Sequence, residues 1–400
     1  MLVTEVLIQR ISPSRAIAFE VLQSVGQGGY ATDCLLDKTR PLDSRDAGLA
    51  SQIVFGCLRN QTQLDYLIGR YSGRNSATLD LPVLIALRAA IFQIRYLERV
   101  PPHAAVHESV ELVKIHKRAA SGFANAVLRK VNRDPVAWPD LETELSCPRR
   151  LMERWTAHFG ADQSRAIARA ALEEPESYIR IGPGGSSPEG AMIEPTSVDG
   201  CFRLLSPGPA AVRLQDIGSQ AIIPLLDLQA GQSFLDLCAA PGNKTIQALE
   251  TRLGLAVACD VSLSRLLQVP RTCHRVVLDA SLPLPFARPF DRVFIDAPCS
   301  GTGTLARNPE IKWRVQELDF ERFHQKQVQI ALQGAQLLAE GGKLLYATCS
   351  LEREENEDVI AKILAAVPRL RCTREVWRLP GREEGDGFYA ALLQLKGAET

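Results

Sequence analysis

Residues 291–303 read Asp291-Arg-Val-Phe-Ile-Asp-Ala-Pro-Cys-Ser-Gly-Thr-Gly303, and this order leaves the backbone little choice. Val293, Phe294 and Ile295 make the β-branched and aromatic run of a buried parallel strand. Pro298, Gly301 and Gly303 stop that strand abruptly. Asp296 and Cys299 therefore fall just past a strand's carboxyl end, where open α/β sheets bind their ligands. About fifty positions on, Leu344-Leu-Tyr-Ala347 runs into Thr348, Cys349 and Ser350 in the same way. Two cysteines are thus expected at two strand ends.

Around these stretches the chain alternates strands and helices. Apolar runs at 234–237, 256–259, 276–278, 292–295 and 343–347 are separated by helical patterns at 245–250, 320–338 and 356–366, and 387–393 reads as a final strand. Such alternation predicts a parallel, doubly wound sheet, because parallel strands need helical crossovers. Residues 13–133 differ: apolar positions recur every three or four residues at 16–22, 47–58, 64–71, 81–96, 104–115 and 122–131, the pattern of an all-α bundle. Asp134-Pro-Val-Ala-Trp-Pro139 is a two-proline break. Two more helices are expected at 148–159 and 163–174, then a strand at 178–181 that dissolves into a Gly/Pro/Ser loop. The expected division is 1–135, 136–215 and 216–400.

The chain has 46 basic and 46 acidic side chains, so no global charge steers it to a partner. Residues 1–135 carry 17 basic against 12 acidic side chains, leaving 29 against 34 for the rest, which makes the amino-terminal third the better polyanion surface. The ten cysteines include no C-x-x-C pair and no zinc-finger histidine spacing, so no metal site is expected. Residues 1–14 lack the apolar core of a leader, and the most apolar stretch, 81–94, is too short for a membrane span and carries Arg88. The expectation is a soluble cytoplasmic protein with reduced thiols.

Phe234-Leu-Asp-Leu-Cys-Ala-Ala-Pro-Gly-Asn-Lys-Thr245 reads as strand, tight turn and helix start, with Asp236 on the strand. Such a turn lets backbone approach a nucleotide-like ligand, but it lacks the spacing of a phosphate loop. Asp260 ends the next strand, placed for ribose hydroxyls, and Asp279 follows 276–278, placed for an adenine amino group. Singly, each acid reads as an ordinary cap or turn residue. Together they favour a neutral or cationic nucleoside over a pyrophosphate, and S-adenosylmethionine meets that demand.

These motifs carry a resemblance. Asp236-Leu-Cys-Ala-Ala-Pro-Gly242, Asp296-Ala-Pro-Cys-Ser-Gly-Thr-Gly303, Asn308-Pro-Glu-Ile-Lys-Trp313, and Tyr346-Ala-Thr-Cys-Ser-Leu351 with Glu354-Glu-Asn-Glu357 are similar to the successive motifs of the Sun/Nop2 family of RNA (cytosine-5) methyltransferases. Arg15-Ala-Ile-Ala-Phe19, Gly56-Cys-Leu-Arg59, Pro102-His-Ala-Ala-Val106 and Gly122-Phe-Ala-Asn-Ala-Val-Leu-Arg129 resemble the NusB-like RNA-binding domain. The resemblance implies an all-α NusB-like bundle followed by an α/β Rossmann-like class I methyltransferase domain. It also implies a methyl donor held by Cys238, Ala239, Ala240, Pro241, Gly242, Asn243, Lys244, Asp260, Asp279 and Asp296. In the family the Thr-Cys-Ser cysteine, here Cys349, is the nucleophile, Cys299 assists release, and Asp296 binds or protonates the ring at N3. Cytosine-5 DNA methyltransferases use the Pro-Cys cysteine instead, which would exchange the two roles, and spacing leaves both assignments open.

Cys34, Cys57, Cys147, Cys201, Cys259, Cys273 and Cys372 read as small buried hydrophobes. Lys312 and Trp313 read equally as RNA contacts or as packing, His324 as a surface residue, and Arg59, Arg129, Lys130 and Arg133 as a solvated face or an RNA contact. The family's usual Pro-Gly-Gly-Lys turn is Pro-Gly-Asn-Lys here. Asn243 is thus expected at positive φ with some strain. Residues 178–215 look short for a full RNA-binding platform, the stretch from Asp260 to Asp279 leaves little room for a full crossover helix, and Pro270 would cut one. The implied substrate is 16S ribosomal RNA, free or in an immature small subunit, with a monomeric enzyme and no DNA or membrane partner. The rivals are the same chemistry on transfer RNA and a non-catalytic RNA-binding assembly factor.

Overall fold

The computed structural model describes residues 11–206 and 212–396, so the leader expectation for 1–14 lies mostly outside the described residues. The chain divides into two compact units. One comprises 1–153, 168–173 and 306–314, and the other 154–167, 174–305 and 315–400.

The first unit is helical. Its helices include Pro13–Gly26, Ala31–Thr39, Ser44–Arg59, Gln61–Ser72, Leu81–Tyr96, Pro102–Lys117 and Ser121–Leu128. Local chemistry sets their ends. Asp43 caps Ser44–Arg59 by accepting from the Asp46 amide, and Gly73 closes Gln61–Ser72 at a φ of 71° that a side chain would resist. Leu81–Tyr96, the stretch considered for a membrane, buries eleven of its sixteen residues and is the central helix of the bundle. Among the described residues no helix is long and apolar enough to cross a membrane. Ala31–Thr39 escapes sequence reading because only Ala31 and Leu35 face the core while Leu36 points outward.

Arg15, matched to the NusB-like pattern, is consumed internally. Its guanidinium reaches Gln93 Oε1 at 2.7 Å and Glu108 Oε1 at 2.8 Å. Lys312 and Trp313 are packing residues of this unit: Lys312 Nζ donates to the Arg59 carbonyl at 2.8 Å, and Trp313 Nε1 to the Leu58 carbonyl at 2.8 Å. Burial pulls the Lys312 ammonium down to about 8. Arg59 is likewise buried and donates to the Ala306 carbonyl, and Arg133 donates to the Ile94 and Leu97 carbonyls. Lys130 donates to the Tyr71 carbonyl from an exposed position, and Arg129 is exposed.

Among the described residues the second unit holds two sheets. Strands β1 (Tyr178–Arg180), β2 (Met192–Pro195) and β3 (Cys201–Ser206) form a small antiparallel sheet in the order β1-β3-β2. The large sheet contains β4 (Ser233–Asp236), β5 (Leu255–Asp260), β6 (His274–Val277), β7 (Phe290–Asp296), β8 (Leu338–Thr348), β9 (Leu370–Arg378) and β10 (Phe388–Leu395). Their order is β6-β5-β4-β7-β8-β10-β9. The first five pair in parallel, but β10 runs antiparallel to both neighbours, so the sheet is mixed rather than all parallel. The nine residues between β9 and β10 are too few for a crossover, which forces the reversal. Pro270 acts as expected: only the single turn Leu263–Leu266 lies between β5 and β6, and Val261, Leu263, Leu267 and Val277 are left exposed.

Candidate functional site

Five adjacent parallel strands bring their carboxyl ends to one edge, and every candidate residue of the second unit lies on it. Asp236, Asp260 and Asp296 are the last residues of β4, β5 and β7, and Asp279 follows β6 by two positions. Along the edge they fall in the order Asp279, Asp260, the turn after β4, and Asp296.

The turn is built by backbone and short polar contacts. Asp236, almost wholly buried, accepts from the Thr245 hydroxyl at 2.7 Å and the Cys238 amide at 3.2 Å. Burial outweighs those donors and pushes its carboxyl up to about 7. Asp260 accepts from the Ala240 amide at 3.1 Å and the Ser262 amide at 2.9 Å. Asp279 accepts from the Ser281 hydroxyl and amide, which hold it below the usual carboxylate range. The Ala240–Pro241 peptide is cis.

The positive φ of the turn belongs to Gly242, at 102°, and not to Asn243, so the expected strain at Asn243 is absent. Asn243 opens the helix Asn243–Ala248, donates to the Leu214 carbonyl at 3.2 Å and accepts from Arg213. Arg213 also donates to the Pro241 carbonyl at 2.9 Å. The asparagine adds a side-chain brace where a glycine would offer none.

At the other end of the edge, Cys299 Sγ and Cys349 Sγ lie 3.2 Å apart, both half-buried. The Cys349 sulfur and burial together push the Cys299 thiol well above its ordinary value, and the Glu355 and Asp296 carboxylates push the same way. Asp296 Oδ2 accepts from Lys244 Nζ at 2.7 Å. Burial alone would lower the Lys244 ammonium, but Asp296 and the nearby Cys349 sulfur override it and hold it above its usual value. Lys244 also lies 5.0 Å from the centre of the Phe388 ring. Burial first, and then Asp236, Asp296 and Asp260, push the Cys238 thiol well above its ordinary value.

Of the remaining cysteines, Cys57, Cys147, Cys201, Cys259 and Cys273 are buried as expected, whereas Cys34 and Cys372 are half-exposed. His324 is half-buried rather than on the surface, its Nδ1 2.7 Å from the Glu354 carbonyl oxygen. Among the described residues no group of three potential ligands could hold a metal. The sequence pattern marks Lys244 only as part of the turn and gives Glu355 no role. The acid-Asn pair following a thiol-bearing strand was the available signal.

A family model described as 16S rRNA methyltransferase RsmB/F matches residues 223–394, and a NusB family model matches 12–133. Ribosomal RNA small subunit methyltransferase B of Cronobacter sakazakii is 30% identical, over 96% of this chain and 98% of its own. A Bacillus subtilis protein named probable ribosomal RNA small subunit methyltransferase B is 30% identical over 88% of each chain. The solved structure of PH0851 shares the fold at a TM-score of 0.79, with 21% identity over 96% of this chain and 99% of that one. NSun6 from Pyrococcus horikoshii, solved with SFG, matches at 0.54, with 17% identity over 62% and 98%.

The cofactor of such a class I methyltransferase domain is S-adenosylmethionine, and the edge fits it. Asp260 ends β5 and Asp279 follows β6 as carboxylates without an ion-pair partner among the described residues, and the bare Gly242 backbone is set by a valine that leaves a side chain there no room, its Cγ2 only 2.8 Å from where a Cβ would stand. With full-length relatives at this identity and both halves matched, the chain belongs to the ribosomal RNA small subunit methyltransferase B family.

Proposed function

We propose that the protein transfers a methyl group to carbon 5 of a cytosine in 16S ribosomal RNA through a cysteine adduct. The observation that carries this reading is the pair of half-buried thiols 3.2 Å apart at the ends of adjacent parallel strands, beside an acid paired with a lysine. The names of the full-length relatives support the substrate.

Carbon 5 of cytosine is a weak nucleophile. Addition of the Cys349 thiolate at carbon 6 breaks the ring's 5,6 double bond and moves its electrons onto carbon 5 and N3. Asp296, steadied by Lys244, binds or protonates N3 and so stabilises that charge. Residues 238–244, Asp260, Asp279 and Asp296 would hold S-adenosylmethionine, which would supply an electrophilic methyl group. Loss of the carbon-5 proton to water then restores the double bond and expels Cys349 as its thiolate, with Cys299 assisting release. The cytosine must leave its stack to reach thiols at a strand edge. The helical unit is assigned to RNA contact.

Incubating the protein with methyl-labelled donor and 16S RNA, followed by bisulfite sequencing, should place the label on one cytosine as 5-methylcytosine. Label on transfer RNA alone overturns the substrate. No label on any RNA, with the donor bound, favours an assembly factor. Asp260→Ala, which removes the acceptor of the Ala240 amide, should weaken donor binding by about 10–100-fold in calorimetry, the worth of a hydrogen bond to a charged group.

A further inference from the structure

Glu355 is fully buried, seven residues beyond β8, and no ion pair involves it among the described residues. Its partners are instead the two thiol loops. Oε2 accepts from the Ser300 amide at 2.8 Å, and Oε1 accepts from the Ser350 hydroxyl at 2.7 Å. Ser300 immediately follows Cys299 and Ser350 immediately follows Cys349, so one carboxylate grips each loop at the same place. The two serine hydroxyls are 3.1 Å apart and close the bridge directly. Gln327, also fully buried, donates to Glu355 Oε2 at 3.0 Å and to the Pro298 carbonyl at 2.9 Å.

The next residue completes the clamp. Asn356 accepts from the Thr348 hydroxyl at 2.6 Å and donates to the Ser350 carbonyl at 2.9 Å, holding both neighbours of Cys349. The Tyr346 hydroxyl, from β8, donates to the Glu355 carbonyl at 2.7 Å. Three neutral donors converge on a buried acid for which an apolar side chain would be the cheaper filling. What that acid provides, and an apolar group cannot, is a simultaneous hold on two loops fifty residues apart in the chain.

We propose that Glu355 is a positioning residue that fixes Cys299 and Cys349 at their working separation. The proposal rests on the two-cysteine reading above. Burial raises the Glu355 carboxyl and its three donors oppose the shift, so the tether is strongest when the group is ionised. Glutamine can nevertheless imitate most of it. Its oxygen can accept from the Ser300 amide while its NH2 donates to the Ser350 oxygen.

The test compares wild type, Glu355→Ala and Glu355→Gln by three readings: donor affinity, steady-state methylation, and bridging of the thiols by dibromobimane, with the Cys299–Cys349 product identified by peptide mapping. Glu355→Ala should bind donor within about 2-fold of wild type, keep its KM for RNA, lose about 10²-fold in kcat, and bridge its thiols poorly. Glu355→Gln should recover most of both kcat and bridging. A Glu355→Ala protein that binds donor normally and bridges at the wild-type rate overturns the proposal. Loss of donor binding in both variants also overturns it, by making Glu355 a general prop of the unit. If wild type makes no 5-methylcytosine while bridging still depends on Glu355, the two-cysteine chemistry fails and the tether stands.

Discussion

Cys349→Ala is expected to abolish both 5-methylcytosine formation and any covalent protein–RNA complex, a loss of roughly 10⁴-fold or more, as for removal of a nucleophile elsewhere. Cys299→Ala should behave oppositely, slowing turnover by about 10²–10³-fold while protein accumulates on RNA in a denaturing gel. The physical reason lies in the state of Cys299. A thiol attacks as its thiolate, and Cys299 is held protonated by its contact with Cys349, by burial and by two nearby carboxylates. Adduct accumulating in Cys349→Ala would show that the roles are exchanged, as in the DNA enzymes.

Gly303→Ala should cost kcat about 10²-fold with donor affinity unchanged, although it adds one methyl group. A Cβ at Gly303 would stand 2.4 Å from the Gly387 carbonyl oxygen and 2.8 Å from that of Cys349. Both obstacles are backbone, and neither can swing aside. They are also the partners that hold the loop, since the Gly303 amide donates to the Cys349 carbonyl at 2.8 Å and the Gly387 amide to the Gly303 carbonyl at 2.7 Å. Accommodation must therefore part the Cys299 loop from the Cys349 loop. Urea unfolding should show a loss of about 1–3 kcal/mol, typical of overpacking. Wild-type kcat in this variant would mean that the loop spacing does not limit the reaction.

Much of the second unit is legible in sequence because its central strands are buried on both faces and appear as continuous apolar runs, as Val293, Phe294 and Ile295 do. The two cysteines and the acids at strand ends follow from where those runs stop. Strand β9 is not legible: at the sheet's edge it carries Arg371, Arg374 and Glu375 and has no clean alternation. The conformation of Asn243 is not legible either, because sequence does not say which residue of a Pro-Gly-Asn turn takes the left-handed conformation. The grip of Glu355 on Ser300 joins positions 55 residues apart, a contact that no local pattern encodes.

The insertion of β10 between β8 and β9 also orders events in time. A polypeptide emerges from the ribosome amino end first. When Thr348 and Cys349 have been made, the strand carrying them has its neighbour β7 but lacks the residues that pair Tyr389 with Thr348 and Ala390 with Ala347. Some forty further residues must be added before that flank closes. A growing chain thus carries both cysteines well before the strand that flanks Thr348 exists, and that side of the sheet closes late in synthesis.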